Sequence, residues 1–577
     1  MRRQRRGVKL LALLFCAVLL AAACGSDKKS DTGAASGSTA TDTGTQKRGG
    51  TLILGAEQWP ECLNPITQCA NSSWMHWAVV EHVLPKLLTF DEEGKFIPGP
   101  ALEGEPVTAG KGTSTNPNDP FSVTYKIRKE AVWDDGTPIT GADVEFTWKA
   151  KLATQGVVSK VGYDSISKID QTDEGKTVKV TFTDTFADWQ DLFGGNTDFV
   201  LKKAAFTSED ISQNLLTEIP FSGTMWKLTS FSAEQAEFVP NPKFWIEDMK
   251  PLVDKVIFRP MADTDTELNA IRAGEVFVIY PQPSPGIKDT LSDATLKLQF
   301  GVSVSYEGLW FNQSSLKNTD SVLKDKVVRE ALLFGTDRQA ILDQVIHNIS
   351  PEVQVLNCAG WVPTVGNWCD QDDFADVKYD AAKVASLLEG AGWAKGSDGI
   401  YAKGGKRLSF TFQTVAGNTR REAIQDLLIP RWKDIGIEAV KDNSDFDTLF
   451  QTRVPQMDTE VALYIQSASP DPSVTAIYAC ENIPTAANGF AGQNNTGWCN
   501  QEATTLLKQS DKTAETTARE DLIHKVGDLV RADAVWLPLY QFPTLTVLRT
   551  DKVEGPVGTF TNSPLAGFAN MYDWSLK

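Results

Sequence analysis

Residues 125–148, YKIRKEAVWDDGTPITGADVEFTW, form the most informative segment of this 577-residue chain. Polar and apolar side chains alternate over residues 121–128, and this period of two predicts a β-strand. Residues 135–138, DGTP, predict a turn. Thr140 can then cap a helix, because Asp143 stands at the capping-box position three residues later. The segment therefore predicts a strand, a turn and a helix in immediate succession.

The same patterns recur on both sides of this segment. Further strands are predicted at residues 51–55, 176–183, 408–414 and 437–440. Helices are predicted at residues 326–346, 379–391, 419–433 and 501–532. Because helices and strands interleave, the fold class is mixed α/β. A body of roughly 530 residues exceeds what one hydrophobic core organises, so two or three domains are expected.

The first 48 residues predict export and anchorage. A basic start, an apolar run at residues 10–23 and small residues before Cys24 are typical of a secretory signal peptide. Cys24 and the residues before it resemble a bacterial lipobox, although the usual Leu position holds Ala21. We expect residues 1–23 to be removed and Cys24 to carry lipid, with residues 24–48 as a flexible tether. A plain signal peptide beside an unrelated cysteine stays open as the alternative.

The formal charge of −18 excludes some classes of partner. An acidic body does not suggest a nucleic-acid binder, and it argues against a polybasic contact with anionic lipid. The apolar core of the signal favours the general export route. The pair Arg5 and Arg6 leaves twin-arginine export open.

Six cysteines follow Cys24 along the chain, and an even number in an exported protein indicates disulfides. Six cysteines allow 15 pairings. Closeness in sequence favours Cys62 with Cys69, Cys358 with Cys369, and Cys480 with Cys499. A zinc site is the rival interpretation, but compartment, spacing and a total of only four histidines argue against it. No metal site is expected.

The body resembles family 5 of the extracellular solute-binding proteins of ABC importers, the group of oligopeptide, dipeptide and nickel binders. Residues 125–148 carry the most specific likeness, as a strand, a turn around Asp-Gly-Thr-Pro and a helix that begins near Ala-x-Asp-Val. Further motifs follow in the family's order: residues 222–224 (SGT), 241–245 (NPKFW), 273–275 (AGE), 311–312 (FN), 328–331 (VREA), 337–338 (DR), 387–393 (LLEGAGW), 435–437 (IGI) and 470–472 (PDP). The matches extend from about residue 51 to residue 543.

This resemblance implies an α/β, two-lobe fold of the periplasmic-binding-protein kind (type II, cluster C), with an extra domain inserted in lobe I. The implied boundaries are residues 49–92, 221–312 and 536–577 for lobe I, 93–220 for the inserted domain, and 313–535 for lobe II. The family's proteins bind a solute between the lobes and close by a hinge motion.

The resemblance also implies where a ligand would lie. The segments that match the family's cleft predict a set of ligand-binding residues: Trp59, Asn64, Trp310, Asn312, Gln413, Asn418, Arg420, Arg453, Gln466 and Ser467. Arg420 and Arg453 are the candidates for a carboxylate or phosphate. Most of the tryptophans are expected in the core, and an arginine near a helix start is more often an ion-pair or cap residue than a ligand contact.

One departure from the family concerns peptide binding. Peptide-binding members hold the ligand's α-ammonium with an Asp in a Trp-x-x-Asp-x-x-(Asp/Glu)-Pro segment. Alignment on Pro472 places Ile465 at the Trp and Ala468 at the Asp. A buried ammonium needs a paired charge, so a ligand without an ammonium, such as a sugar, a blocked peptide or a lipid headgroup, becomes an open alternative. No histidine falls in the predicted cleft segments, with His76 as the one open exception, so nickel binding through histidine is disfavoured.

The sequence thus predicts a lipid-anchored, monomeric substrate-binding protein on the outer face of the cell membrane, without cofactor or catalytic residues. Its expected partners are a peptide or similar solute and the permease subunits of an ABC importer. A regulatory or assembly lipoprotein of the envelope on the same fold is the first alternative. A secreted hydrolase with paired carboxylates is the second, although no nucleophile elbow, metal motif or spaced acid pair supports it.

Overall fold

The strand, turn and helix predicted around residues 125–148 form as expected. In the computed structural model, which describes residues 48–284, 286–287, 292–466 and 473–577, a strand at Ser122–Lys126 leads through the turn to a helix at Gly141–Ala153. The Thr140 hydroxyl accepts a hydrogen bond from the backbone N–H of Ala142 at 3.3 Å. Asp143 accepts one from the backbone N–H of Thr140 at 2.9 Å. The predicted capping box is confirmed.

Ten α-helices lie in the described residues. They are α1 Ser73–Ala78, α2 Gly141–Ala153, α3 Thr264–Ala273, α4 Lys326–Gly335, α5 Arg338–Ile341, α6 Ala381–Gly390, α7 Thr419–Asp434, α8 Thr475–Tyr478, α9 Gln501–Ser510 and α10 Thr516–Ala532. Two predicted helices were too long. The pattern over residues 326–346 is interrupted at Thr336, where the chain turns to extended geometry, and Asp337 caps a new helix. The pattern over residues 501–532 is divided between α9 and α10, and Glu515 caps α10.

The described chain contains 21 strands. They are β1 Thr51–Ala56, β2 Leu88–Phe90, β3 Phe96–Pro98, β4 Val107–Ala109, β5 Ser122–Lys126, β6 Ile166–Thr172, β7 Thr177–Phe182, β8 Trp226–Phe231, β9 Ala236–Pro240, β10 Lys255–Pro260, β11 Val278–Ile279, β12 Leu296–Phe311, β13 Ala394–Lys395, β14 Tyr401–Lys403, β15 Lys406–Arg407, β16 Ser409–Gln413, β17 Glu438–Lys441, β18 Val461–Gln466, β19 Trp536–Arg549, β20 Val553–Glu554 and β21 Ser575–Leu576.

Ten of these strands form one mixed sheet in the order β17-β16-β18-β12-β19-β11-β1-β10-β9-β8. We call the part around β1, β8, β9, β10 and β11 lobe I, and the part around β16, β17 and β18 lobe II. The long antiparallel strands β12 and β19 lie in the middle and carry the described chain from one lobe to the other and back. The start of β12 pairs only with β19, whereas its end pairs with both β19 and β18.

A bulge interrupts the pairing between the two crossing strands. Val302 pairs with Pro543 and Tyr306 pairs with Gln541, so residues 303–305 stand opposite Phe542 alone. The side-chain amide of Gln541 donates to the backbone carbonyl of Ser303 at 2.8 Å. A bulge bends a strand and interrupts its ladder, and this one lies on the two strands that cross between the lobes.

A separate four-stranded sheet, β4-β5-β7-β6, lies between β3 and β8 in the sequence, with α2 packed beside it. Its buried side chains join those of lobe I in one hydrophobic core, and the core of lobe II is distinct. The two-lobe α/β architecture is therefore confirmed, while the residue boundaries of the lobes and of the inserted domain stay predictions. No helix among the described residues has the length and apolar character needed to cross a membrane.

The three predicted disulfides are the ones that form. Cys62 pairs with Cys69, Cys358 with Cys369, and Cys480 with Cys499, with Cα–Cα distances of 5.4, 5.1 and 4.6 Å. Each closes a short loop, with sequence separations of 7, 11 and 19 residues. The predicted signal peptide, Cys24 and the tether lie outside the described residues, apart from Arg48.

Candidate functional site

A cavity of about 320 Å³ lies between the two lobes. The wall on the side of lobe I and the β4–β7 sheet includes Pro65, Ser73, His76, Trp77, Lys151, Tyr163, Phe186, Asp188, Asp191, Asn196, Thr197 and Asp198. The wall from lobe II includes Phe450, Val454, Pro455, Tyr464, Ile465, Gln466, Ser473, Ala476, Gly492, Gln493 and Asn495. Both lobes thus contribute to one cavity, and ligand sites occur preferentially at such interfaces between domains.

A smaller cavity of about 30 Å³ adjoins the first at the bulge of the crossing strands. The two share Trp77, Asn196 and Ile465 in their walls. The bulge residues 303–305 and Phe542 line the smaller cavity. The bulge of the crossing strands therefore lies next to the candidate site.

The lobes touch beside the cavity through a buried ion pair. Asp188 precedes the turn that leads to Trp189, and its carboxylate contacts the guanidinium of Arg519 on α10. The side chains are only 3% and 4% exposed. Beside them the backbone N–H of Ala187 donates to the carbonyl of Asp511 at 2.7 Å. These contacts join the inserted sheet region to lobe II and hold the lobes together.

Charged groups in the cavity wall occur beside groups of opposite charge. Lys151 lies 2.5 Å from Asp198, and both side chains are largely buried. Burial lowers the pKa of Lys86, which lies just behind this wall. The carboxylates of Glu81, Asp198 and Asp191 act in the opposite direction by attraction. Burial also raises the pKa of Glu81 to about 6.

His76 is a neutral polar group in the wall. Burial lowers its pKa to about 3, and its Nε2 lies 3.1 Å from the carbonyl oxygen of Ala70. Because a carbonyl only accepts, Nε2 carries the proton and Nδ1 is left as an acceptor. That Nδ1 has no hydrogen-bond partner among the residues that the structure describes.

A second set of polar contacts joins the lobes beside the crossing strands. The side-chain oxygen of Gln282 in lobe I accepts from Asn418 at 2.9 Å and from Arg420 at 3.1 Å, at the start of α7 in lobe II. The backbone N–H of Gln282 donates to Glu57 at 3.0 Å. Burial raises the pKa of Glu57 to about 7, against the lowering effect of its hydrogen bonds with Thr264 and Gln282.

Glu307, on β12, balances two buried arginines. Its carboxylate contacts Arg420 and lies 3.0 Å from Nε of Arg421, and all three side chains are at most 2% exposed. Arg420 also donates to the hydroxyl of Tyr540 on β19. The guanidinium of Arg420, which was predicted to face an anionic ligand, is thus held by the protein's own carboxylate.

The predicted ligand contacts are divided among several locations. Gln466, at the end of β18, lines the cavity. The indole of Trp59 stacks on the ring of Phe231, with ring centroids 5.6 Å apart, and its N–H donates to the backbone carbonyl of Ser232. Trp59 does not line the cavity. Asn64 is fully buried and donates to the carbonyls of Ile211 and Asn214. Its neighbour Pro65 does line the cavity.

The other predicted contacts lie within lobe II. Trp310 is stacked against Trp536, with ring centroids 4.5 Å apart, and its N–H donates to the carbonyl of Tyr464. The remaining three make their hydrogen bonds to the protein itself: Asn312 to Met457 and Thr459, Gln413 to Asp442 and Asp458, and Arg453 to Asp442 and Asp458. This geometry gives the four residues a structural role, and ligand binding by them stays a prediction.

Ser467 and Ala468 fall outside the described residues, as does Asp471. Whether the site can bind a peptide ammonium must therefore be judged from the described residues of the cavity wall. Within the described residues, no group of three or more His, Cys, Asp or Glu side chains is placed to hold a metal ion.

Sequence reasoning missed the wall formed by residues 186–198. The motif matches placed the cleft on other segments and passed over this loop between β7 and β8. Its composition, with three Asp and the Gly194-Gly195-Asn196-Thr197 run, is typical of an irregular polar loop on which binding residues are often carried. Gln282 was missed for a different reason, since its role depends on contact with the other lobe.

Comparison with known proteins identifies relatives of this chain. The oligopeptide-binding protein AppA of Bacillus subtilis (strain 168) is 22% identical over 591 residues, covering 100% of both chains. The oligopeptide-binding protein OppA of Mycobacterium tuberculosis (strain ATCC 25618 / H37Rv) is 23% identical over 560 residues, covering 94% of this chain and 87% of that protein.

Solved structures agree in fold. AppA from Bacillus subtilis in complex with a nonapeptide superposes with a TM-score of 0.78 at 20% identity, covering 92% of this chain and 100% of that one. NikZ from Campylobacter jejuni in complex with Ni(L-His) gives 0.76 at 20% identity, covering 91% and 99%. Residues 102–483, more than half of the chain, match the family described as bacterial extracellular solute-binding proteins, family 5 Middle. The chain therefore belongs to family 5 of the bacterial extracellular solute-binding proteins.

Proposed function

We propose that this chain is the lipid-anchored substrate-binding protein of an ABC importer, and that it captures a peptide or similar solute by hinge closure. The observation that carries the proposal is the 320 Å³ cavity, which is lined from both lobes while the described chain crosses between them only along β12 and β19. Such an arrangement lets a solute enter an open form and become enclosed when the lobes meet. The names of AppA and OppA support a peptide as the first solute to test.

Delivery to a permease requires the chain to stay near the membrane. Cys24 supplies the expected anchor, followed by the tether of residues 25–48. Replacing Cys24 with Ser should move the mature protein from the membrane fraction to the soluble fraction. Cys16→Ser is the matched control, because Cys16 leaves with the signal peptide and its loss should not release the protein. Release by both variants, or by neither, would contradict anchorage through Cys24.

The partner can be tested in the native cell. Chemical cross-linking followed by mass spectrometry should show enrichment of ABC permease subunits among the proteins that are cross-linked to the wild-type chain. The enrichment should fall with Cys24→Ser. Capture of envelope-assembly proteins without any permease subunit would contradict the importer and favour a regulatory lipoprotein on the same fold.

A further inference from the structure

We propose that the interlobe cavity binds an uncharged, hydroxyl-rich solute of about di- or trisaccharide size, a short carbohydrate, rather than a peptide with free termini. The inference rests on the proposed receptor function, because it concerns the solute of the same cavity. It follows from the charge balance of the wall, the chemistry of its polar groups and its size.

The first step is the charge balance. A peptide with free termini brings an ammonium and a carboxylate, and each needs an opposite charge once the lobes exclude water. Lys151 is already 2.5 Å from Asp198, and Asp188 contacts Arg519. Asp191 lies in the field of Lys86. The wall therefore offers paired charges, and a charged ligand would have to compete with these contacts.

The second step is the chemistry of the opposite wall. Lobe II contributes the side chains of Gln466, Ser473, Gln493 and Asn495, which are polar and carry no charge. Each amide presents donors and an acceptor, whereas the Ser473 hydroxyl already donates to Asp511 at 2.9 Å and accepts from the backbone N–H of Thr475 at 3.3 Å. This set matches sugar hydroxyls, which also donate and accept at the same oxygen.

The third step is His76 on the facing wall. Its Nδ1 is an acceptor in a buried side chain that lines the cavity, and it has no partner among the described residues. An unpaired buried acceptor is unfavourable by about 1–3 kcal/mol. Because Nδ1 is itself buried, a ligand hydroxyl would reach it only when the ring turns toward the cavity, and a hydrogen bond to it would then remove this cost. An ammonium could donate too, but each carboxylate that the described wall offers already lies near a cation of the protein.

The fourth step is shape. The cavity volume of about 320 Å³ lies at the lower end of the 300–1,000 Å³ that small-molecule sites enclose. Trp77, Tyr163 and Tyr464 place aromatic rings in the wall. Such rings combine apolar area with a polar edge, which suits the C–H faces of a sugar ring between its hydroxyls.

A thermal-shift panel tests the inference on the mature chain from residue 25 onward. The probes, at 5 mM each, are maltose, cellobiose, trehalose and mannobiose; dipeptides and tripeptides of alanine and leucine with free termini; and the same peptides acetylated and amidated. A ligand that binds only the folded form raises Tm by mass action. We expect a saccharide to raise Tm and the free-terminal peptides to leave it unchanged.

A pair of histidine variants adds a second readout. His76→Gln keeps a donor for the Ala70 carbonyl but moves the acceptor from the Nδ1 position to the amide oxygen, so it should weaken the affinity for the active saccharide about tenfold, measured by calorimetry. His82→Gln is the matched control. His82 is equally buried and bonds to the Trp77 carbonyl in the same way, but it does not line the cavity. Its affinity should match that of wild type.

The outcomes separate the inference from the proposed function. Tm shifts with free or blocked peptides alone would overturn the carbohydrate and leave the receptor function standing. No shift with any probe would also overturn it, and the receptor function would then be decided by the permease cross-linking. A saccharide that binds equally well to His76→Gln and wild type would contradict the placement of its hydroxyl on Nδ1.

Discussion

Glu307 is the residue on which the charge balance between the crossing strands depends. Its carboxylate is fully buried and serves both Arg420 and Arg421. Removing one member of a buried ion pair leaves an uncompensated charge and costs about 3–5 kcal/mol. We expect Glu307→Gln to lower the free energy of unfolding by that amount in urea titrations.

The control for this variant is Glu130→Gln, at an exposed position of the β5–α2 connection. Its effect should stay within about 0.5 kcal/mol. Equal effects of the two substitutions would show that Glu307 is not essential to the buried network. Binding of an anion by the Glu307→Gln protein would point to Arg420 and Arg421 as ligand contacts.

The carboxyl groups of Glu57 and Glu267 predict a dependence of stability on pH. Burial raises the pKa of Glu57 to about 7, and burial together with the Glu57 charge raises the pKa of Glu267 well above its ordinary value. Both are protonated in the folded form at a pH where the unfolded chain has ionised them. Their contribution is complete below about pH 4.5 and is lost as pH rises toward 7, by about 3 kcal/mol for Glu57 alone.

Glu267→Gln should therefore raise Tm at pH 7.5 relative to wild type and change it little at pH 4.5. The buried histidines His76 and His82 act with the opposite sign, since their pKa values are lowered to about 3 and 4. For that reason the readout is the difference between variant and wild type at each pH. Glu554→Gln, at an exposed site, is the control. A difference that is constant across pH would contradict the assignment.

At the scale of secondary-structure elements, the sequence predicted features that depend on nearby residues, but it did not predict contacts between residues far apart in the chain. The capping box at Thr140 and Asp143 depends on residues three apart, so the sequence predicted it correctly. Cysteine spacing predicted the three disulfides for the same reason. Arg420 was predicted to face a ligand because it begins α7, but its partner Glu307 lies 113 residues away. No local pattern reveals such a partner.

The disulfide loops differ in what they carry, and this leads to a prediction. The loop closed by Cys480 and Cys499 holds Gly492, Gln493 and Asn495 of the cavity wall, whereas the loop closed by Cys358 and Cys369 holds none of the wall. Replacing either pair with alanine should lower the free energy of unfolding by about 2–4 kcal/mol. Only the first should also speed amide hydrogen exchange at residues 490–496.

Hydrogen-exchange mass spectrometry on the ligand-free protein measures this difference directly. The Cys358/Cys369 double variant is the matched control, since it loses a comparable crosslink in the same lobe. Faster exchange at residues 490–496 in both variants would mean that the loop reports on global stability. No change in either would show that the crosslink does not order the wall.

For the whole molecule, the proposed hinge motion makes the balance between open and closed lobes the quantity to test. In that motion the bulge at residues 303–305 would be the bending point, and the buried Asp188–Arg519 pair would stabilise the closed form. Arg519→Gln leaves the Asp188 carboxylate buried without its countercharge in the closed form, while in an open form water can solvate it. The substitution should therefore shift the population toward open.

Small-angle X-ray scattering of the ligand-free protein should then give a larger radius of gyration for Arg519→Gln than for wild type. Arg407→Gln is the control, because Arg407 pairs with Asp398 and Glu438 on an exposed part of lobe II and bridges no lobes. A population with fewer closed molecules also binds more weakly in proportion to the closed fraction. An unchanged radius for Arg519→Gln would show that the lobes are held together by other polar contacts, such as the Lys512–Asp184 pair or the bonds from Asn418 and Arg420 to Gln282.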